Sequence, residues 1–222
     1  MILLHPRLAA VANIASKESI RYALTSVKIT ARENNIARIE TSDGKRLLRV
    51  DYKMPDAGDF PEVPGFKPNG FKTALVPSKT FSEMLKNRKK CKHAPILDHI
   101  AVNAEEGTPE REATADSPAT EGTPGTVTIA TSDGMQHKLQ QIRQIDGNYP
   151  DTDIVIPTAP PTLSVLFNGK LLAELLQAIT AVMADDSKTA VRFDFGGGES
   201  AVKLTSKNED IEATAVIMPR TK

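Results

Sequence analysis

The chain has 222 residues, 40 % of them apolar, and its 28 basic side chains are balanced by 28 acidic ones, so one or two domains with a sizeable core are expected and a uniformly basic nucleic-acid surface is excluded. A single cysteine, Cys91, rules out an internal disulfide, and the absence of Trp with only 5 % aromatic residues argues against bases stacked on exposed rings. No run approaches the roughly 18 apolar residues of a membrane-spanning helix, and no signal peptide precedes the first amphipathic segment, so a soluble, cytoplasmic protein is expected.

Pro6 to Lys17 places Leu8, Val11, Ala12 and Ala15 at helical spacing, with Pro6 suited to a first turn, which predicts a short amphipathic helix. Ile20 to Ala31 alternates in the manner of a strand, and Asn34-Asn35 turns the chain into a second strand, Ile36 to Thr41. Asp43-Gly44 then tolerates the positive φ angles of a tight hairpin, and a third strand follows over Arg46 to Tyr52. Residues 54–72 carry Pro55, Pro61, Pro64 and Pro68 among glycines and are expected to be a connector.

A second unit repeats the plan. Thr73 to Val76 predicts a strand, Ser78 an N-cap, and Phe81, Met84 and Leu85 the buried face of a helix that ends in a basic run. Strands follow at Ile100 to Asn103, Thr126 to Thr131 and Gln136 to Ile145, while residues 104–125, without an aliphatic side chain larger than Ala, are expected to form a mobile loop. Ile129-Ala130-Thr131-Ser132-Asp133-Gly134 nearly restates Ile39-Glu40-Thr41-Ser42-Asp43-Gly44, which marks an internal repeat.

Pro160-Pro161 marks a boundary, placing a first domain at 1–157 and a second region at 158–222. In the latter, Leu163 to Phe167 predicts a strand, Asn168 an N-cap, and Leu171, Leu172, Leu175, Ile179 and Val182 the apolar stripe of a third helix. Three strands follow, at Ala190 to Phe195, Ser200 to Thr205 and Glu212 to Met218, the first two joined by the turn Gly196-Gly197-Gly198. The expected class is α+β, with three helix-plus-antiparallel-strands units.

Catalytic and metal patterns are weak. Cys91, His93 and His99 lie close together, yet no fourth ligand has convincing spacing. Gly196-Gly197-Gly198 leads to a strand and lacks the ending of a phosphate loop, and Asp151 and Asp153 sit in a Pro-bounded, solvated segment. No enzyme, cofactor or metal site is expected.

Three separated segments carry a resemblance. Thr41-Ser42-Asp43-Gly44-Lys45-Arg46-Leu47 is similar to the Thr-Asp-Gly-His-Arg-Leu motif of the bacterial DNA polymerase III β subunit, the sliding clamp. Gly147-Asn148-Tyr149-Pro150-Asp151 through Val155-Ile156-Pro157 resembles that family's Gly-x-Phe-Pro-Asp-Tyr segment, and Val216-Ile217-Met218-Pro219-Arg220 its C-terminal Val-Met-Pro-Met-Arg. The sequence departs from the family at Lys45 (usually His), Ile154 (often Arg), Leu171 (often aromatic) and Arg220-Thr221-Lys222 (Met-Arg-Leu).

The resemblance implies domains built from pairs of units, with 1–157 similar to a complete middle domain and 158–222 to the second half of the last domain. It implies a non-catalytic processivity scaffold that self-associates as a homo-oligomer around double-stranded DNA and binds peptides of polymerases or repair factors. The family's peptide groove carries over to Ser42, Gly44, Lys45, Arg46 and Leu47 on one wall, Pro150 and Val155 at the floor, and Leu171, Val216, Met218, Pro219 and Arg220 on the other wall. Lys86, Arg88, Lys89, Lys90 and Lys92 are the candidates to face DNA phosphates; the alternative for this run is a solvated helix end that suits the helix dipole. A reduced homologue that binds peptides without forming a ring is the alternative for the whole chain.

Overall fold

The computed structural model describes residues 1–86, 93–107, 123, 125–183, 189–197, 199–208 and 211–220. They fall into two compact units, residues 1–155 and 156–222.

Unit 1 opens with a short strand, β1 (Ile2–Leu4), that the sequence pattern does not predict. The expected amphipathic helix is a 3-10 helix, Pro6–Ile14, whose start is capped by the ring of His5 accepting from the Arg7 amide at 3.1 Å. A second 3-10 helix, Ser19–Thr25, replaces the first half of the strand expected at Ile20 to Ala31. The Thr25 hydroxyl donates to the Tyr22 carbonyl (2.7 Å) and the Ser26 hydroxyl to that of Ala23 (2.5 Å), local bonds that compete with a sheet ladder. Strands β2 (Ser26–Arg32), β3 (Ile36–Ser42) and β4 (Leu47–Lys53) follow as a meander. Asn34 and Asn35 both take positive φ (58° and 57°), as a two-residue hairpin turn requires.

The connector contains a 3-10 turn, Ala57–Asp59, and leads to β5 (Thr73–Pro77) and α1 (Ser78–Lys86), in which Ser78, expected as the N-cap, is instead the first helical residue. Strands β6 (Ile100–Glu105), β7 (Thr126–Ser132) and β8 (His137–Arg143) complete the unit. The mobility expected for 104–125 falls mainly on residues outside those described, although Ala104 is buried within β6.

The sheets run β4-β3-β2-β5 and β1-β6-β7-β8. Each half therefore lends one strand to the other: β1 pairs with β6 and β5 with β2. One core cluster joins Leu4, Leu8 and Val11 from the chain start to Val76, Phe81 and Leu85, together with Val27, Ile39, Val102 and Ile129 of the two sheets. Phe60 and Val63 of the connector are buried in a smaller cluster with Leu3, Ala101 and Ala130. Asn103 fixes the connector further, accepting from the Asn69 amide and donating to the Lys67 carbonyl, both at 2.9 Å.

Unit 2 holds α2 (Gly169–Met183) and the strands β9 (Arg192–Asp194), β10 (Val202–Lys207) and β11 (Glu212–Ile217), in the order β11-β10-β9. Asn168 caps α2 as expected, accepting from the amides of Lys170 (3.0 Å) and Leu171 (3.3 Å). The apolar face is corrected. Leu172, Leu175, Leu176, Ile179 and Met183 pack on Val202, Leu204 and Ile217, whereas Leu171 and Val182 are exposed. The strand expected at Leu163 to Phe167 is not formed: among the described residues no strand pairs with it. In the turn after β9, Gly197 has φ 146°.

Leu4, in a lent strand, is fully buried, so Leu4→Ala should lower the unfolding free energy of unit 1 by roughly 3 kcal/mol in urea titrations. Ile20→Ala, at a 95 % exposed position, should change it by less than about 0.5 kcal/mol. Equal costs at the two positions would return Ile20 to a packed strand.

Candidate functional site

The turn between β3 and β4 is built by its own side chains. Ser42 Oγ accepts from the Gly44 amide (3.0 Å) and donates to the Arg46 carbonyl (2.8 Å). Asp43 Oδ1 accepts from the amides of Lys45 (2.9 Å) and Arg46 (3.0 Å), and its Oδ2 takes the Arg46 guanidinium at 2.9 Å. The Lys45 amide is the leading reason that the Asp43 carboxyl is held down to about 2, with Arg46 adding to it. Gly44 has φ 86°, which a side chain would strain.

The β7–β8 turn repeats this geometry. Ser132 Oγ accepts from the Gly134 amide (3.0 Å), Asp133 Oδ1 from those of Met135 (2.9 Å) and Gln136 (2.6 Å), and Gly134 has φ 91°. The difference is the side chain after the turn: Arg46 closes an ion pair on Asp43, and Gln136 stands at that place in the second copy.

What lies against the outer face of each sheet differs more. Ile39 and Ile129 are equivalent, so Glu40 corresponds to Ala130, and across the ladder Lys28 corresponds to Ala101. The second sheet buries the two alanines under the connector side chains Phe60 and Val63. The first sheet buries a charge. Glu40, 1 % exposed, accepts from Arg49 Nε at 2.7 Å and from the Thr152 hydroxyl, with Lys28 Nζ at 3.5 Å. Arg49 also donates to Thr152 and reaches Asp153 at 2.6 Å. Arg38 forks onto Asp51 at 2.6 and 2.9 Å. Asp153, expected to be merely solvated, is exposed but paired.

This network clasps the segment carrying Tyr149 and Pro150 to the strands that carry the Ser42–Leu47 turn. Burial acts to raise the Glu40 pKa, and the Thr152 hydroxyl, Arg49 and Lys28 outweigh it, leaving it below the ordinary 4.5. Burial, with the Glu40 charge, pushes the Tyr149 phenol up to about 12, and Lys28 Nζ lies 5.7 Å from the ring centroid. Alternation puts Glu40 on the face opposite the helices, and its role could not be read from the sequence without knowing that residues 149–153 cover that face.

Of the residues carried over from the motifs, Gly44, Lys45, Arg46, Pro150 and Val155 are exposed in unit 1, with Ser42 and Leu47 half-buried. Ile154, 81 % exposed beside Val155, adds an apolar side chain that the motif did not supply. In unit 2, Leu171 (56 % exposed), Val216 (60 %) and Met218 (65 %) present apolar surface, Pro219 is half-buried, and the Arg220 amide donates to the Leu166 carbonyl at 2.7 Å. Of the basic run, Lys86 is an exposed helix-end residue, and Arg88, Lys89, Lys90 and Lys92 lie outside the described residues, as does Cys91. His99 is engaged in the core, its Nε2 2.7 Å from the Tyr52 hydroxyl.

The fold recurs in solved structures. A DNA polymerase β subunit from Streptococcus pyogenes superposes with a TM-score of 0.67 at 16 % identity, over 99 % of this chain and 50 % of that one. The fold is that of the bacterial sliding clamp. The clamp of Bartonella birtlesii, in complex with griselimycin, matches with a TM-score of 0.63 at 16 % identity, over 100 % of this chain and 52 % of that one. The clamp of Bacillus subtilis matches with a TM-score of 0.56 at 18 % identity, over 98 % and 48 % respectively. No protein-family model and no curated protein sequence matches the chain. The chain thus spans about half the length of the clamp structures it resembles. No helix among the described residues is long and apolar enough to cross a membrane.

Because Glu40 is held below its unfolded value, its stabilising contribution is complete above about 4.5 and is lost as pH falls through the lower folded value. Unit 1 should lose stability in acid, and Glu40→Gln should remove that part of the slope in urea titrations between pH 3 and 6. Glu40→Ala, which strands Arg49 and Lys28, should cost roughly 3 kcal/mol at pH 7.

Proposed function

We propose that the chain is a processivity scaffold of the sliding-clamp type, self-associating around double-stranded DNA and binding short peptides of polymerases or repair factors, without catalysis of its own. The clamp fold over the whole chain carries this reading. In unit 2 the peptide contacts are Leu171, Val216 and Met218, apolar side chains left more than half exposed, with Pro219 and Arg220 beside them. Pliable Met and branched Val suit apolar peptide anchors. In unit 1 the contacts are Ser42, Gly44, Lys45, Arg46 and Leu47, on a turn stiffened by Asp43, with Pro150 and Val155 on the segment clasped by Glu40. Duplex DNA is held through phosphates and without base readout, by Lys86, Arg88, Lys89, Lys90 and Lys92.

The B. birtlesii clamp binds griselimycin, which makes that compound a direct probe beside a polymerase-type clamp-binding peptide. Calorimetry on the full chain should show binding of the peptide, and Met218→Ala with Leu47→Ala should weaken it at least tenfold. If neither probe binds the unaltered chain, the reading fails. Charge reversal at Lys89 and Lys90 should shorten retention on nicked circular DNA, with a smaller effect as salt rises; unchanged retention would make the basic run a solvated helix end.

A further inference from the structure

In unit 1 the strand that precedes each helix never joins the sheet of its own half. β1 precedes the Pro6–Ile14 helix and pairs with β6, and β5 precedes α1 and pairs with β2. Residues 162–167 stand before α2 in the same way. Leu3, Leu75 and Leu166 each lie three residues before the start of their helix. The correspondence extends to a hydrogen bond: just past β8 the Ile145 amide donates to the Leu75 carbonyl at 3.0 Å, and just past β11 the Arg220 amide donates to that of Leu166 at 2.7 Å.

Residues 162–167 are therefore the counterpart of β5, and among the described residues no strand pairs with them as β2 does with β5. They contain no charge and no proline, and Leu163 and Leu166 are 46 % and 53 % exposed. Among the described residues the outer edge of β9 is equally unpaired. Natural sheet edges are commonly blunted by charge, proline or bulges, and a segment this apolar has none of those devices.

We propose that a second copy of this chain completes unit 2: residues 162–167 of each copy pair with β9 of the other about a two-fold axis, so that two half-domains make one whole domain. The exchange in unit 1 fixes the register. Ile39, Ile129 and Leu204 occupy equivalent places opposite Ile29, Val102 and Phe193, which makes Lys28, Ala101 and Arg192 equivalent. Leu75 lies opposite Lys28 and Leu3 opposite Ala101, so Leu166 lies opposite Arg192 of the other copy. One step either way, Phe167 meets Val191 and Val165 meets Phe193. These are the places of the buried pairs Leu4–Ile100 and Ile2–Val102 in one sheet and Val76–Val27 and Ala74–Ile29 in the other.

All four unit 2 side chains are apolar and only half-buried within one copy. The helix seam agrees. The cleft between the Pro6–Ile14 helix and α1 is lined from α1 by Ser78, Lys79, Ser82, Glu83 and Lys86. The corresponding residues of α2 are Gly169, Lys170, Ala173, Glu174 and Gln177, all exposed, with one charge of each sign among them, so two copies meet there without net repulsion. The inference names a face for the self-association proposed above, but its support is the fold and not any DNA or peptide binding.

Light scattering on the full chain at tens of micromolar should give at least twice the chain mass of 24.0 kDa, and Val165→Glu should raise the dissociation constant of that pair at least tenfold. In a Cys91→Ser background, L166C/R192C should oxidise to a covalent dimer, and L166C/D194C, two residues out of register, at least tenfold less. A monomeric unaltered chain, a cross-link confined within one chain, or an oligomer that cross-links equally at both pairs or at neither would overturn the proposal. None of these measurements needs DNA or peptide, so a failure here and a failure of the clamp-like activity are separately visible.

Discussion

Reciprocal strand lending is the constraint on which unit 1 depends. β1 closes a sheet whose other strands begin at Ile100, and β5 closes one that begins at Ser26, so neither half can bury its core without the other. The consequence is visible in the composition of the main cluster, where Leu4 and Leu8 from the chain start pack with Phe81, Leu85 and Val102. Pairings across so much sequence put a large loop-closure entropy ahead of the contacts that reward it, which places such a fold among the slower ones.

Within that frame, the two sheets differ in how their outer faces are closed. Phe60 and Val63 cover Ala101 and Ala130, an apolar contact that tolerates small shifts. The equivalent positions in the first sheet are Lys28 and Glu40, and the covering segment brings Thr152 and Asp153 to them. Burying a carboxylate is costly unless its lone pairs are taken, and here Arg49, Thr152 and Lys28 take them. Such a network has few arrangements that satisfy every member, so it sets where Tyr149 and Pro150 lie relative to the Ser42–Leu47 turn more narrowly than an apolar contact would. The polar closure is found in the half that carries the motif residues.

The fold was largely legible because its signals are local. Asp-Gly and Asn-Asn turns between alternating runs located β3, β4, β7 and β8 within a residue or two, and Asn168 announced α2. The misses have a common cause in contacts that the pattern does not contain. Ile2–Leu4 is too short to show alternation, and it is a strand because β6 offers it an edge. Ile20 to Thr25 alternates, yet hydroxyls of Thr25 and Ser26 bond back to the carbonyls before them. On α2, Leu171 and Val182 share the helical period with the core residues, and only the position of the sheet decides that Leu176 and Met183 go inward instead. At the site, the motif residues could be named in advance, but Glu40 and Thr152 are 112 residues apart and join only through the fold.

The stretch 162–167 shows the same limit from the other side. Its pattern is that of a strand, and the Leu166 carbonyl already accepts the bond that its counterpart Leu75 accepts in unit 1. What it lacks is a ladder. A strand is a property of a pair, because one backbone edge cannot satisfy its own amides and carbonyls as a helix does. Unit 1 supplies the rule for where the partner comes from, since both strands of this type cross to the other half-domain. Applied to unit 2, the rule asks for a second half-domain of the same kind, and 162–167 and the outer edge of β9, unpaired among the described residues, match in register, with the apolar Val165, Phe167, Val191 and Phe193 flanking the charged Arg192. The strand predicted from sequence and the strand absent from the fold are then consistent: the residues specify a pairing that one unit 2 cannot complete within itself.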